Sequence, residues 1–463
     1  MKTRVKRLIG DRAFYRMVLA VTIPIMVQNG ITNFVSLLDN IMVGQVGTEQ
    51  MSGVAIVNQL IFVFNLCIFG ALSGAGIFTA QFYGQGNHRG IRDTVRIKIW
   101  LAVSITIVAE VVFLVFGENL ISLYLAEEND AAKNAVALTH GLAYMRIMLV
   151  GLIPFMIVQV YSSTLRETGE TLLPMKAGIL AVFVNMTLNY VLIFGKLGLP
   201  ALGVRGAAIA TVVSRFTECF VVVGWTHIHK EKNRYVEGLY QSMRAPKKLV
   251  WNIIQKGTPL LINETLWAAG MALLLQCYSV RGLSVVAAMN ISSTVSNVFN
   301  VAFIALGNAV AIIIGQLLGA GKMEEAKDTD AKLIAFSVAI CVAIGVVMAL
   351  IAPAFPQIYN TSDEVKALAA DFIWVAALCM PQNAFMNTAY FTLRSGGKTV
   401  VTFLFDSVYM WCVNIPLAFV LSRYTGWNIV IVYLLCQMVD LVKCAIGYVL
   451  VKKGVWIQNI VVE

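Results

Sequence analysis

The chain has 463 residues, of which 59% are hydrophobic and only 13% charged, with a mean hydropathy of +0.77. Soluble globular chains carry about 25% charged residues, so half that fraction excludes a disordered chain and a water-soluble enzyme. The net charge of +10 arises from 35 Lys and Arg against 25 Asp and Glu.

About 20 apolar residues cross a bilayer, and apolar runs of that length follow one another along the chain. They fall at 14–38, 52–80, 95–116, 137–161, 174–194, 203–225, 253–279, 284–316, 331–352, 367–391, 400–421 and 428–450. The pattern predicts an all-α polytopic membrane protein with twelve transmembrane helices in two parallel six-helix lobes. No small-residue cleavage site follows the first run, which therefore reads as a first membrane helix and not a removable signal. The polar stretch 226–250 is the longest connection. It divides the chain into an N-lobe (1–226), a cytoplasmic linker (227–252) and a C-lobe (253–463). His227 and His229 begin that linker and read as part of a solvated loop.

Lys and Arg sort by side. The N-terminus, every second connection and the C-terminal end hold 27; the opposite connections hold 7, and Arg215 alone lies inside a span. This bias predicts a cytoplasmic (inner) membrane protein with both termini in the cytoplasm. It also accounts for the net charge without a nucleic-acid ligand, since the aromatics sit in the apolar runs. All eight cysteines lie in apolar segments without a C-x-x-C pair, so they read as small buried hydrophobes. No cofactor is implied. The partners expected are membrane lipid and a small-molecule substrate, with the monomer as the working unit.

The two halves repeat. Pro24 and Pro259 differ by 235 positions, as do Gly47 and Gly282. Gln81-Phe-Tyr-Gly84-Gln-Gly86 after the second span returns, shifted by 235, as Gln316-Leu-Leu-Gly319-Ala-Gly321. Leu165-Arg166-Glu-Thr-Gly169-Glu-Thr171 returns, shifted by 228, as Leu393-Arg394-Ser-Gly-Gly397-Lys-Thr399. Six spans per half is an even number, so the copies are parallel, and a path between two such lobes suits alternating access. The Gly-x-Gly segments read as tight turns; no strand precedes them and no Lys-Ser/Thr follows, as a phosphate cradle would require.

Polar groups that a bilayer should exclude mark function. In span 1, Gln28, Asn29, Thr32, Asn33, Ser36, Asp39 and Asn40 recur at intervals of three and four and share one helical face. Asn290, Ser293, Thr294, Asn297 and Asn300 do the same in span 8; Asn383, Asn387 and Tyr390 form a shorter stripe in span 10. Such stripes suit a hydrated cavity better than isolated interhelical bonds. Asp39, Asn185, Asn189 and Thr211 all reach the outer half of the N-lobe. Together they are an oxygen-only set that suits Na⁺ (with Asp39 as its carboxylate ligand) or a protonatable Asp39. In the C-lobe, Glu264 and Asp406 are candidates for a proton, ion or substrate-cation site. Arg215 and Glu218, three residues apart, read as mutually neutralising, and Asp440 near Lys443 as an interfacial pair.

Leu38-Asp39-Asn40-Ile41-Met42-Val43-Gly44-Gln45-Val46-Gly47 resembles the first-helix signature of the multidrug and toxic compound extrusion (MATE) family. Gly203-Val-Arg-Gly206-Ala207-Ala208-Ile209-Ala210-Thr211-Val-Val-Ser214 resembles its sixth-helix motif, and the repeated glycine segments fit as well. The resemblance covers essentially the whole chain. It implies a cation-coupled antiporter that exports amphipathic, often cationic, compounds in exchange for Na⁺ or H⁺. It also implies an N-lobe cation site at Asp39, Asn185, Asn189 and Thr211, with Asn189 departing from the family's second carboxylate. A C-lobe pair would fall on Glu264 and Asn383, the latter replacing an Asp. Two other readings compete. A lipid-linked oligosaccharide flippase would need many basic groups in its cavity, and Arg215 is the one basic residue firmly inside a span. An intramembrane enzyme would need paired acids or a nucleophile with its base at membrane depth, and none is visible.

Overall fold

The computed structural model describes residues 8–125 and 131–461; of residues 35–41, 48 and 131 only the backbone is described. Among the described residues there is no strand. Twelve long helices follow in order: α1 (Arg12–Gly44), α2 (Thr48–Gly84), α3 (His88–Leu125), α4 (Ala131–Glu167), α5 (Leu172–Phe194) and α6 (Val204–Ile228) make the first half. The second half holds α7 (Lys247–Ser279), α8 (Leu283–Gly319), α9 (Met323–Ile351), α10 (Asp363–Ser395), α11 (Thr399–Tyr424) and α12 (Ile429–Lys452). Each predicted apolar run falls on one of these helices, in order, to within one residue.

Eleven of the twelve are long and apolar enough to cross a membrane. The exception is α10, whose 33 residues carry Gln382, Asn383, Asn387, Thr388, Thr392 and Arg394 in its second half. Several helices outrun the hydrocarbon core. The 38 residues of α3 span about 57 Å at 1.5 Å per residue, against roughly 30 Å of hydrocarbon. Its helical start is fixed by Asn87, whose Oδ1 accepts from Gly90 N at 2.9 Å, a side-chain N-cap. Arg89 and Arg92, which precede the apolar run 95–116, therefore stand on helix together with Arg96 and Lys98 at its start. Five prolines sit well inside helices, Pro24 in α1, Pro154 in α4, Pro259 in α7, Pro381 in α10 and Pro416 in α11; each removes one ladder bond and permits a bend.

Contacts divide the chain into two compact units. One holds Val27–Thr79 and Asn87–Ile254; the other holds Gln255–Glu463 together with Met1–Met26 and Ala80–Gly86. In the first, the connection after α6 is docked rather than solvated. Arg92 Nε donates to the Tyr235 carbonyl at 3.2 Å; Arg96 donates to the carbonyls of Gly238 (2.7 Å) and Leu239 (3.0 Å). Trp100 Nε1 donates to Met243 O at 3.0 Å. Tyr235, Val236 and Leu239 are buried. His227 Nε2 lies 2.9 Å from the Tyr161 hydroxyl, which also bonds Tyr240, and His229 stacks on Trp225. This correction has a physical cause: the connection is polar in composition, yet α3 supplies the donors its carbonyls need.

In the second unit the ends of α2 and α8 cross with backbones touching. A Cβ on Gly84 would meet the Gln316 carbonyl oxygen at 1.9 Å, and one on Gly319 would meet the Gln81 carbonyl oxygen at 1.9 Å. Gly86 and Gly321, at φ +74° and +75°, supply the left-handed turns that follow. Of the four glycines read as turn formers, two turn the chain and two let helices close.

Gly84→Val and Gly319→Val should each destabilise the protein by about 2–4 kcal/mol by forcing the backbones apart, whereas Gly86→Ala, with open space around it, should cost about 1 kcal/mol. Thermal melting of the purified protein in detergent checks the ranking.

Candidate functional site

In the first half, α5 and α6 bring three of the predicted site residues together. Asn189 Nδ2 donates to Asn185 Oδ1 at 3.0 Å, Asn185 Nδ2 donates to Thr211 Oγ1 at 3.2 Å, and Thr211 donates to the Ala207 carbonyl at 3.0 Å. Asn185 and Asn189 are one turn apart on α5 and almost wholly buried, at 4% and 1% exposure. The result is an uncharged ladder of amide and hydroxyl groups between two membrane helices. Asp39 and Ser36 stand on α1, but their side chains lie outside the described residues. On the same helix Gln28 and Asn29 are half-buried and Asn33 is exposed. Gln28 Nε2 lies 3.6 Å and Glu218 Oε1 3.8 Å from where a Cβ on Gly178 would stand.

Arg215 and Glu218 do not form an ion pair among the described residues. The Arg215 guanidinium donates to the Gly151 carbonyl at 3.2 Å and sits 5.0 Å over the Phe155 ring. Nor is Arg215 the single cation within the helices. Lys98 is fully buried on α3, where its ammonium holds Glu167 at 2.5 Å and donates to Ser163 and Thr164, both at 3.2 Å.

In the second half the organising residue is Asn263 on α7, next to the predicted Glu264. Its Nδ2 donates to Asp406 Oδ2 at 3.1 Å and to the Tyr390 hydroxyl at 3.4 Å; its Oδ1 accepts from Ser407 N at 3.3 Å. Ser407 Oγ lies 2.6 Å from that same Oδ1 and 3.0 Å from the Asn263 carbonyl. Asp406 Oδ1 in turn holds the Lys443 ammonium of α12 at 2.7 Å. One buried amide thus ties α7, α10 and α11 together, and the ion pair adds α12. Local backbone makes this possible. Leu404–Val408 and Met410–Asn414 of α11 are π-helical, a widening that re-aims side chains and recurs at functional sites. Beside it α12 is interrupted at Val439. The carbonyls released there are taken by Gln382 Nε2 (to Gln437 O, 2.7 Å) and the Tyr409 hydroxyl (to Val439 O, 2.7 Å). Asp440 lies at this mid-helix break, not at an interface, and accepts from Asn414 Nδ2 at 2.9 Å.

The remaining predicted residues are spread. Glu264 is half-buried and feels the charges of Arg394 and Asp406, but no hydrogen bond joins it to Asn383 or Asp406 among the described residues. Asn383 and Asn387 are half-buried on α10, with Asn387 Oδ1 seated against Gly307 of α8. Asn290 and Asn297 are exposed. Sequence reasoning passes over Asn263 and Lys98, and it sets Lys443 beside Asp440 where the structure pairs it with Asp406. A lone Asn in an apolar helix is the available signal for the first; Lys98 reads as a flanking basic residue.

The family described as MatE matches residues 24–191 and 259–420, two copies that start at Pro24 and Pro259. The chain belongs to the MatE family. The double match covers most of the sequence and repeats the 235-residue shift. Relatives span nearly the same length. A "Probable multidrug resistance protein NorM" of Thermotoga maritima is 26% identical over 406 residues, 87% of this chain and 84% of the relative. A "Probable multidrug resistance protein YoeA" of Bacillus subtilis is 24% identical over 415 residues, 88% and 87% respectively. The fold is that of solved MATE structures: one in the straight conformation has a TM-score of 0.85 at 18% identity over 97% of each chain. One in the bent conformation has a TM-score of 0.81 at 18% identity over 97% of this chain and 98% of that one. This MatE protein is a multi-pass membrane transporter and not an enzyme.

Asn263→Leu keeps the branched shape of the side chain and deletes the network's centre, leaving Asp406 and Ser407 short of partners. It should destabilise the transporter by about 2–4 kcal/mol, read as a lower melting temperature in detergent.

Proposed function

We propose that this MatE protein is a secondary active antiporter that exports amphipathic organic cations in exchange for H⁺ or Na⁺ by alternating access. The observation that carries the reading is the buried Asn189–Asn185–Thr211 ladder between α5 and α6. Uncharged polar groups of that density within membrane helices are costly unless they serve a ligand or an ion. Asp39, on α1, supplies the carboxylate of the coupling site. The names of the relatives in Thermotoga maritima and Bacillus subtilis support multidrug export. On the count of Lys and Arg, both termini face the cytoplasm across the inner membrane, and the monomer is the working unit.

Within this reading a proton is favoured over Na⁺. Asn185 Oδ1 already accepts from Asn189 at 3.0 Å, so only its second lone pair is open to a sodium ion. In the cycle proposed, cation entry at Asp39 satisfies the carboxylate, favours one bend of α1 and releases substrate; substrate rebinding from the cytoplasm reverses it. The flippase reading gains nothing from the added intramembrane cations. Lys98 is held by Glu167 and Lys443 by Asp406, so neither offers free positive charge to a pyrophosphate.

In proteoliposomes, an imposed proton gradient should drive transport of a cationic dye, and a sodium gradient alone should drive it at least severalfold more slowly. Transport indifferent to both gradients overturns the antiport reading. Asp39→Asn should abolish gradient-driven transport without changing the melting temperature, and unimpaired transport by that variant removes Asp39 from coupling.

A further inference from the structure

The helix α11–α12 pair holds a cation that belongs to the chain itself. The Lys443 ammonium is 2.7 Å from Asp406 Oδ1 and 5.2 Å from the centre of the Phe405 ring. A carboxylate beside an aromatic face is the chemistry that recognises an organic ammonium: charge pairing from one side and the ring quadrupole from the other. The carboxylate is fixed from behind by Asn263 Nδ2 at 3.1 Å, so it is oriented before any ligand arrives. The site remains reachable, with the Asp406 side chain 22% exposed and that of Lys443 10%.

We propose that Asp406 and Phe405 form a binding site for the organic cation, occupied in this state by Lys443 as a resident counter-ion that the substrate displaces. Two features make the displacement workable. Asp440 lies one helical turn before Lys443 on α12 and among the described residues is hydrogen-bonded by the neutral Asn414 amide alone, at 2.9 Å, so the ammonium has a second carboxylate within its own helix to move to. The arriving cation leaves no buried charge unpaired, because Asp406 exchanges one ammonium for another while Lys443 turns to Asp440. The surroundings also suit a cation: Asp406, Asp440 and Glu264 act on this region against Lys443 and Arg394, one negative charge in excess. The occupant is therefore a monocation with an apolar or aromatic body. The proposal rests on the transport reading for its substrate class, but its test reads binding separately.

Ethidium is a suitable probe, titrated by fluorescence into the full-length protein in detergent. Lys443→Met leaves the Asp406 carboxylate without its resident partner and should tighten ethidium binding about tenfold, within the usual range of a coupling between two ligands. The gain should vanish in the Lys443→Met/Asp406→Asn double variant. Unchanged or weaker binding by a monodisperse Lys443→Met protein overturns the proposal, as does a gain that survives in the double variant. If Lys443→Met does not stay monodisperse, Lys443→Arg decides: a bidentate guanidinium holds Asp406 more firmly and should weaken ethidium several-fold, and unchanged affinity overturns the site. Ethidium export in proteoliposomes separates the two readings. Tighter binding by Lys443→Met with no wild-type export leaves the site standing and removes the antiport reading; export with no effect of Lys443 on binding does the reverse.

Discussion

The backbone contact between α2 and α8 is the constraint on which one compact unit depends. Gly84 abuts the Gln316 carbonyl and Gly319 abuts the Gln81 carbonyl. The contact is reciprocal because the repeat maps Gln81 onto Gln316 and Gly84 onto Gly319. In lipid there is no hydrophobic drive between helices, so close approach through small residues supplies the packing that water would otherwise enforce. The crossing also collects the chain around it. Gln81 Nε2 donates to the carbonyls of Ser395 and Gln458, and its Oε1 accepts from Ile460 N. Asn459 Nδ2 donates to the Gly319 carbonyl at 3.1 Å. The end of α10 and the segment after α12 are thereby fastened to the same point, and a side chain on either glycine would disturb all of them at once.

Elsewhere the bilayer imposes a stricter rule than packing: a polar group inside it needs its partner within the protein. Lys98 shows how completely this is met, with Glu167, Ser163 and Thr164 all on its ammonium. Asp330, buried on α9, accepts from the Thr392 hydroxyl of α10 at 2.6 Å. Such buried charges are weak evidence for stability, because desolvation opposes the attraction, but removing one partner is expensive. Their consequence is register. The π-helical stretches of α11 and the break in α12 each release backbone groups, and Gln382 and Tyr409 close the gap in α12 at Gln437 and Val439. An irregular backbone at membrane depth survives only where the protein itself lines it.

Much of this was legible in the sequence because hydropathy reports span identity directly. The twelve runs, the parallel repeat and the family all follow from apolar length and a constant offset between anchors. What escaped notice has a common physical origin: composition reports what a residue is, not which neighbour satisfies it. Lys98 looks like a flanking basic residue, and Lys443 like the partner of Asp440, until Glu167 and Asp406 are seen to hold them. The connection after α6 looks solvated because its partners, Arg92, Arg96 and Trp100, are more than a hundred residues away. Asn263 was overshadowed by the acid beside it. Gly84 and Gly319 were recognised as special, but a turn and a close crossing demand the same residue. Of the N-terminal candidates, Asn185, Asn189 and Thr211 do meet, while Asp39 lies outside the described side chains.

The two halves share geometry and have parted in charge. Arg215 and Glu218 stand eleven and fourteen residues past Val204, the first residue of α6. Asp440 and Lys443 stand at the same distances past Ile429, the first residue of α12. The acid and base are exchanged. The residue opposite has changed with them: the repeat that carries Thr171 onto Thr399 carries Gly178 onto Asp406, so Lys443 finds a carboxylate where Glu218 finds a glycine and the Gln28 amide. A duplicated fold provides two equivalent positions between the fifth and sixth helices of each half. Inverting the charge on one of them means that the same helix face holds a cation in one half and hydrogen-bonding groups in the other. Two identical cation sites would compete for the same ligand in the same state. Under the antiport proposed above, sites of different chemistry would let one half take the coupling ion and the other the compound exported.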